Sequence, residues 1–295
     1  MRRFALRVFG FALLLVSAGL SIVIVRLMCW QSRVKQVFTV RPETEVICIG
    51  SSHTGCTWAE RSDYGNQLYW NSMNSIPLAV LRLRELARLN DLSHVRVCMV
   101  DFDVMGFCDL RFMDEAFVSQ FPFTWRYLSD APWTGRPLRL FIERPGASWS
   151  ISDYVPSDTT AWSERSDTER LEHLERVYGG DRQQLNKLLE YPRWRDVVRD
   201  SVKELQELCQ AHQIHLILFS SPVVSQSPDR TDSDRNRVLH EMVAEVKKMG
   251  IDYKDYRAAM SDCDFRDSNH LLPNAAERFT HKVFDEVWSV RRGAL

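Results

Sequence analysis

The sequence lacks the cysteine spacing that marks a structural metal site. Its seven cysteines are scattered, without a CxxC pair and without a histidine at zinc-ligand spacing. This argues against a zinc module, and we expect neither a metal ion nor an organic cofactor. Cys48 and Cys98 lie in apolar runs, where a free thiol behaves as a small hydrophobe. One or two disulfides stay open as an alternative if the main domain lies outside the cytoplasm.

The sequence also lacks an excess of charge of either sign. It has 38 Lys and Arg against 39 Asp and Glu, and no long basic run. Because binding to phosphate backbones needs a basic surface excess, we expect no nucleic-acid partner. Internal repeats and low-complexity tracts are also missing. A chain of 295 residues with 45% hydrophobic residues can bury one large core, or one core with an insertion.

A long apolar run lies near the start of the sequence. No charged residue occurs between Val8 and Val25, which is enough chain to cross a hydrocarbon layer of roughly 30 Å. A cleaved signal peptide is the alternative, with Arg2 and Arg3 before the run and small residues at 17–19. Since the apolar run continues to Val25, it favours an uncleaved anchor. We therefore predict a membrane anchor over residues 1–30, in contact with the lipid bilayer, and a linker over residues 31–42.

Short apolar runs alternate with amphipathic stretches over residues 43–295. Strands are predicted at 46–49, 95–102, 214–222 and about 251–253. Helices are predicted at 77–90, 194–212, 235–249 and 274–290. This alternation predicts an α/β domain with a three-layer αβα, flavodoxin-like parallel sheet. Ligand sites in such sheets lie beyond the carboxyl ends of the strands.

The stretch at about 104–190 departs from this alternation, and we interpret it as an insertion or lid over the carboxyl edge of the sheet. It contains several prolines and the tryptophans Trp125, Trp133, Trp149 and Trp162. These tryptophans either stack on sugar rings or form a small satellite core. A charged helix follows, SDTERLEHLERVY, and is predicted to end at Gly179-Gly180. The charged helices at 164–177 and 235–249 are interpreted as solvated faces.

Two polar segments lie where a catalytic site would form. Gly50-Ser51-Ser52-His53-Thr54 follows the first strand, and Asp267-Ser268-Asn269-His270 precedes the last helix. A serine nucleophile needs a base, and the base needs an orienting partner. Each segment also has a plain structural alternative as a helix cap. The hydrolase elbow GxSxG is missing, because Gly55 comes one residue too late.

On these two blocks, the chain resembles the SGNH (GDSL-like) hydrolase superfamily over roughly residues 43–290, excluding the insertion. That family carries a Gly-Asp-Ser block after its first strand and an Asp-x-x-His block before its last helix. Here Ser51 stands in the place of the aspartate. The resemblance implies that Ser52 is the nucleophile, that His270 is the general base and that Asp267 orients it. Ser51 and His53 would then be structural, although His53 is a competing candidate for the base.

The blocks that supply oxyanion donors in that family are altered in this chain. Ile76 stands where the family has a glycine, and Asp101 or Asp103 stands where it has an asparagine. A carboxylate at that place repels an oxyanion unless it is protonated, and two carboxylates alone make no metal site. The expected oxyanion donors are the backbone N–H of Ser52, the Asn74 side chain and the Ser75 amide.

Serine before the nucleophile and the apolar run near the start resemble a membrane-anchored envelope branch of the superfamily, which includes alginate-type O-acetyltransferases and the D-alanyl transfer protein of teichoic acids. The flanking basic residues do not choose an orientation. The resemblance implies a cytoplasmic N-terminus and an extracytoplasmic domain. It also implies a serine-dependent esterase or acyltransferase acting on acylated cell-envelope glycans. The alternative is a catalytically inactive binding or assembly factor of the same fold, with envelope partner proteins.

Overall fold

The computed structural model describes residues 38–61, 64–70, 76–108, 161–190 and 194–292, together with Ser17 and Ser21. Most of the predicted anchor and linker therefore lies outside the described residues. The same holds for residues 109–160 of the predicted insertion. Within the described ranges, no helix has both the length and the apolar character needed to cross a membrane.

Strands and helices alternate along the described part of the chain. Its strands are β1 (Val46–Gly50), β2 (Asn66–Trp70), β3 (Val97–Asp101), β4 (His215–Ser220) and β5 (Asp252–Asp255). Its α-helices are α1 (Ser52–Thr57), α2 (Ile76–Leu89), α3 (Val104–Cys108), α4 (Asp167–Glu190), α5 (Trp194–Ala211), α6 (Pro228–Thr231), α7 (Ser233–Lys248) and α8 (Pro273–Arg292). Short 3₁₀ turns occur at Trp162–Glu164 and Asp262–Asp264.

The five strands form one parallel sheet in the order β2-β1-β3-β4-β5. This is the strand order of flavodoxin-like, doubly wound folds. The prediction of an α/β domain with a parallel sheet is confirmed. Because β1 and β3 are adjacent in the middle of the sheet, their carboxyl ends lie side by side.

Helices cover both faces of the sheet, and β1 shows why its sequence is continuously apolar. Ile47 and Ile49 belong to one buried cluster, which includes residues of α2, α5 and α7. Val46 and Cys48 belong to the opposite cluster, which includes Trp58, directly after α1, and residues of α8. Alternate side chains of a strand point to opposite faces, so a strand covered on both faces needs apolar residues throughout. Burial of each such isoleucine contributes about 1.5–3 kcal/mol.

Strand β2 is the element that the apolar pattern did not predict. Its sequence is NQLYW, and it lies at an edge of the sheet, where it pairs with β1. Asn66 is fully buried, and its side chain donates to the Ala59 carbonyl at 2.9 Å and accepts from the Arg61 N–H at 2.8 Å. The strand is held in place by its pairing with β1 and by these polar contacts. Because neither requires an apolar run, the sequence pattern gives no sign of the strand.

Helix α4 continues through Gly179 and Gly180 to Glu190, so the prediction that it ends there is wrong. Tyr178 is buried and its hydroxyl lies 3.0 Å from the Ser227 hydroxyl, while Leu185 is also buried. Each glycine costs a helix about 1 kcal/mol relative to alanine. Tertiary packing on both sides of the glycine pair outweighs that cost.

Five cysteines of the described ranges carry free thiols, namely Cys48, Cys56, Cys98, Cys209 and Cys263. Cys48, Cys98 and Cys209 are buried in the two clusters. Burial raises the pKa of the Cys48 thiol well above its usual range, and the charge of Glu60 adds to this. The buried thiols of Cys48, Cys98 and Cys209 are therefore apolar packing groups.

Gly50, the last residue of β1, lies too close to its neighbours to carry a side chain. A Cβ atom there would lie 1.8 Å from Thr54 Oγ1 and 2.9 Å from Asp101 Cβ. We predict that Gly50→Ala lowers the free energy of unfolding by about 1–3 kcal/mol through overpacking, as measured by urea denaturation. Gly179→Ala is the control. Its Cβ would find its nearest heavy atom at 3.9 Å, so it should raise stability by roughly 0.5–1 kcal/mol. Equal stability of Gly50→Ala and the parent chain would contradict the close packing.

Candidate active site

The carboxyl ends of β1 and β3 meet the loop before α8 at one edge of the sheet. After Gly50, α1 begins at Ser52 with Ser51 as its N-cap. The Ser51 hydroxyl accepts from the His53 backbone N–H at 3.2 Å. The structural alternative for this segment therefore holds for Ser51, whereas the hydroxyl of Ser52 has a different partner.

Ser52, His270 and Asp267 form a hydrogen-bonded series. Ser52 Oγ lies 3.2 Å from His270 Nε2, and His270 Nδ1 lies 2.8 Å from Asp267 Oδ2. With its proton on Nδ1, the imidazole donates to Asp267 and accepts from the Ser52 hydroxyl. The structure thus brings together the three residues that the sequence blocks suggest. The arrangement is the one that an activated serine requires.

Backbone contacts fix the carboxylate of Asp267. Its Oδ1 accepts from the N–H groups of Asn269 at 3.1 Å and of His270 at 2.9 Å. The Arg266 guanidinium lies 3.6 Å from Oδ2. Burial favours the neutral acid, but the hydrogen bond and charge of His270 outweigh it and lower the pKa of Asp267 below its usual range. Asp267 is therefore ionised and oriented to hold the imidazole.

His270 is held in its neutral form near neutral pH. Burial lowers the pKa of His270, and the positive charges of His53 and Arg266 lower it further. The hydrogen bond and charge of Asp267 oppose this without reversing it. A neutral imidazole is the form that can accept the proton of Ser52.

A second contact lies directly beside the first. His53 Nε2 lies 2.6 Å from Asn269 Nδ2, and the rings of His53 and His270 meet edge to face at 5.7 Å. His53 follows Ser52, and Asn269 precedes His270. The contacts His53–Asn269 and Ser52–His270 therefore fix the position of the segment at the start of α1 relative to the loop before α8. The Nδ1 atom of His53 faces Asp103 at 3.5 Å. Both ring nitrogens of His53 thus have other partners, which favours His270 as the base for Ser52.

Two acidic side chains at the end of β3 complete this edge. Asp101 is buried, and its Oδ2 accepts from the Ser51 hydroxyl at 3.1 Å and the Thr54 hydroxyl at 3.3 Å. Burial and the charge of Asp103 raise the pKa of Asp101 to about 7. Burial lowers the pKa of His53, because it disfavours the charged form. The hydrogen bond and charge of Asp103 outweigh burial and raise this pKa to about 9.

Residues of the predicted insertion hold the loop that carries His270. The backbone N–H of Trp162 donates to the Phe265 carbonyl at 2.7 Å, and His173 Nε2 lies 3.2 Å from Ser268 Oγ. Trp162 is fully buried and packs edge to face on His173. For Trp162, the satellite-core interpretation is therefore correct and sugar stacking is excluded. Helix α4 is also not simply a solvated face, since His173 reaches the loop.

The expected oxyanion donors Asn74 and Ser75 lie outside the described residues, so their role stays a prediction. Sequence reasoning missed the role of Asn269, which contacts His53 and donates its backbone N–H to Asp267. Its position two residues after an aspartate is a signal for such a backbone bond, because aspartate side chains often accept from the N–H two residues on. Its contact with His53 has no local signal.

No protein-family model matches this chain, and no curated protein sequence matches it. The solved structures that are similar to it include two from Bacteroides species. One, described as an acylhydrolase from Bacteroides fragilis, is 11% identical with a TM-score of 0.42, over 87% of this chain and 96% of that one. Another, a GDSL-like lipase from Bacteroides thetaiotaomicron, is 12% identical with a TM-score of 0.41, over 84% and 91%. Likeness at this level supports no conclusion about family, reaction or substrate.

We predict that Asp267→Asn lowers the reactivity of Ser52 towards a serine-directed probe by roughly 10³–10⁴-fold, because an amide cannot hold the imidazole in the required tautomer. The rate of covalent labelling, followed by intact mass, measures this. Asp200→Asn is the control, because Asp200 is 73% exposed on α5. Unchanged labelling of a folded Asp267→Asn protein would show that Asp267 does not support the base.

Proposed function

We propose that this chain is a serine-dependent esterase or acyltransferase of the SGNH type. The observation that supports it best is the hydrogen-bonded series from Ser52 through His270 to Asp267 at the carboxyl edge of a parallel sheet. Ligand sites of such sheets lie at this edge. The lowered pKa values of the base and of its partner agree with the proposed roles.

The proposed reaction begins with attack of Ser52 Oγ on the acyl carbonyl of the substrate. His270 Nε2 takes the hydroxyl proton as the new C–O bond forms, and ionised Asp267 stabilises the imidazolium. The carbonyl oxygen becomes an oxyanion, for which the Ser52 N–H, Asn74 and Ser75 are the expected donors. Collapse of this intermediate breaks the bond to the leaving alcohol, which receives the proton from His270 and leaves an acyl-serine.

The second half of the reaction transfers the acyl group from Ser52. His270 removes a proton from water or from a sugar hydroxyl, and that oxygen attacks the acyl carbon. The bond from the acyl carbon to Ser52 Oγ then breaks, and His270 returns the proton to Ser52. Attack by water completes an ester hydrolysis, whereas attack by a sugar hydroxyl completes an acyl transfer. Which acceptor reacts depends on how well water is excluded from the edge of the sheet.

For the substrate, we propose acylated glycans of the cell envelope, and for the location, an extracytoplasmic domain on a single membrane anchor. The support is the apolar run at 8–25 and the serine before the nucleophile, both of which resemble the envelope branch of the superfamily. Trp125, Trp133 and Trp149 remain candidates for sugar stacking and lie outside the described residues.

We expect a fluorophosphonate probe to form one covalent adduct on the full chain in detergent, because such probes react with activated serines. Ser52→Ala should abolish the adduct and His270→Ala should slow its formation strongly, by about 10²-fold or more. Intact-mass spectrometry measures both. Ser201→Ala is the matched control, since the Ser201 hydroxyl bonds only to the Val197 carbonyl in the contacts of α5 that the structure describes.

A folded chain that forms no adduct would contradict the enzymatic proposal and favour a binding or assembly factor of the same fold. Circular dichroism and urea denaturation establish that each variant is folded. For a chain that does label, turnover of an aryl acetate with and without an oligosaccharide acceptor separates the two reactions. Acetate release alone indicates a hydrolase, and acetylated oligosaccharide indicates a transferase.

The membrane proposal predicts where the carboxyl end of the chain lies. Alkaline phosphatase fused after Leu295 should be active in a bacterial host, because this enzyme matures only outside the cytoplasm. Removal of residues 1–30 should abolish that activity and move the protein from the membrane to the soluble fraction. The opposite result would be an inactive phosphatase fusion together with fluorescence from green fluorescent protein fused at the same position. That result would overturn the proposed orientation.

A further inference from the structure

A second cluster of titratable side chains lies beside Ser52 and does not belong to the proposed catalytic triad of Ser52, His270 and Asp267. One ligand atom from each of His53, Asp101 and Asp103 lies within 4.8 Å of the other two. His53 comes from the first turn of α1, and the two aspartates come from the end of β3 and the residues after it. The turn at Gly50 brings these elements together, because Asp101 packs directly against that glycine.

Asp101 provides an independent observation that points to a ligand. The side chain is buried, with 4% of its surface exposed. Its Oδ2 accepts two hydrogen bonds from Ser51 and Thr54, but its buried Oδ1 has no hydrogen-bond partner among the described residues. A buried carboxylate oxygen without a partner is costly, and a bound cation would satisfy it.

The geometry around His53 fits a metal ligand. Its Nδ1 atom lies 3.5 Å from Asp103 Oδ2, near the roughly 3 Å that separates ligands bound at about 2.0–2.2 Å from one ion. Metal-bound histidines commonly donate their other N–H to an oxygen. Asn269 lies 2.6 Å from His53 Nε2, and a turned amide places its oxygen there as the acceptor.

The donor set indicates the class of ion. One imidazole and two carboxylates suit first-row divalent ions such as Mn²⁺, Fe²⁺ and Zn²⁺, whereas Ca²⁺ and Mg²⁺ prefer oxygen ligands alone. The side chains of His53 and Asp103 are 12% and 16% exposed, so water can reach the cluster and complete the coordination.

We propose that His53, Asp101 and Asp103 bind one first-row divalent cation. The consequence for catalysis rests on the proposed function, whereas the binding itself does not. A cation at this place neutralises the two carboxylates that otherwise face an oxyanion formed at the neighbouring Ser52. It also fixes the His53 ring that contacts Asn269, and so helps to hold His270 in position beside Ser52.

The test uses the full chain in detergent after removal of metal with a chelator. Isothermal titration with Zn²⁺ alone and with Mn²⁺ alone should show one site per chain, and Mg²⁺ and Ca²⁺ at the same concentrations should bind at least tenfold more weakly. Asp101→Asn and Asp103→Asn should each weaken binding at least tenfold. Asn at position 101 can still accept from Ser51 and Thr54, so this variant keeps the native hydrogen bonds.

Two controls separate the site from adventitious binding. His215 and Asp252 form an exposed pair at 2.8 Å that could also hold Zn²⁺, so His215→Gln should leave the tight site unchanged. Asp200→Asn controls for loss of one acidic charge. Absence of binding, binding that survives Asp101→Asn and Asp103→Asn, or binding lost in His215→Gln would each overturn the site.

Labelling by the fluorophosphonate probe distinguishes failure of this proposal from failure of the proposed function. Metal removal should slow adduct formation at Ser52, and return of the metal should restore it. Metal binding without an adduct under any condition would keep the site and contradict the enzyme. An adduct without metal binding would keep the enzyme and contradict the site. Binding that leaves the labelling rate unchanged would overturn the electrostatic role.

Discussion

Close packing at the end of β1 positions Ser52 and the cluster of His53, Asp101 and Asp103. Gly50 allows Thr54 and Asp101 to approach the backbone at a distance that no side chain would permit. Helix α1 can therefore begin immediately after the strand, with Ser51 as its cap and Ser52 at the edge of the sheet. The same approach places the end of β3 under the first turn of α1. Ser52 and the cluster of His53, Asp101 and Asp103 thus depend on one short turn.

Two histidine–aspartate pairs lie side by side at this edge, and their environments move the histidine pKa values in opposite directions. Burial and nearby positive charges lower the pKa of His270, although Asp267 opposes this. The two carboxylates at the end of β3 raise the pKa of His53 to about 9 against the effect of burial. Groups whose environments separate their pKa values commonly have different roles. His270 is suited to accept a proton, whereas His53 is suited to pair with negative charge and to hold Asn269.

Much of the fold and part of the candidate site could be predicted from the sequence. The apolar runs of β1, β3 and β4 are visible because strands covered on both faces need apolar residues throughout. The blocks around Ser52 and His270 are visible because their spacing is local. By contrast, β2 is polar and formed by pairing, and α4 passes through two glycines because of tertiary contacts. The contact of His53 with Asn269 joins distant segments, so only the folded chain shows it.

The position of His53 beside Asp101 and Asp103 changes the interpretation of these two aspartates. In the sequence they are two carboxylates where the superfamily has an asparagine, and they oppose an oxyanion. In the folded chain, they face an imidazole, and one buried oxygen of Asp101 has no hydrogen-bond partner in the described ranges. Positive charge from His53, or from a cation bound with it, offsets the carboxylates. A site that replaces a neutral donor with balanced charges can still stabilise an oxyanion, provided that the positive charge stays in place when the substrate reacts.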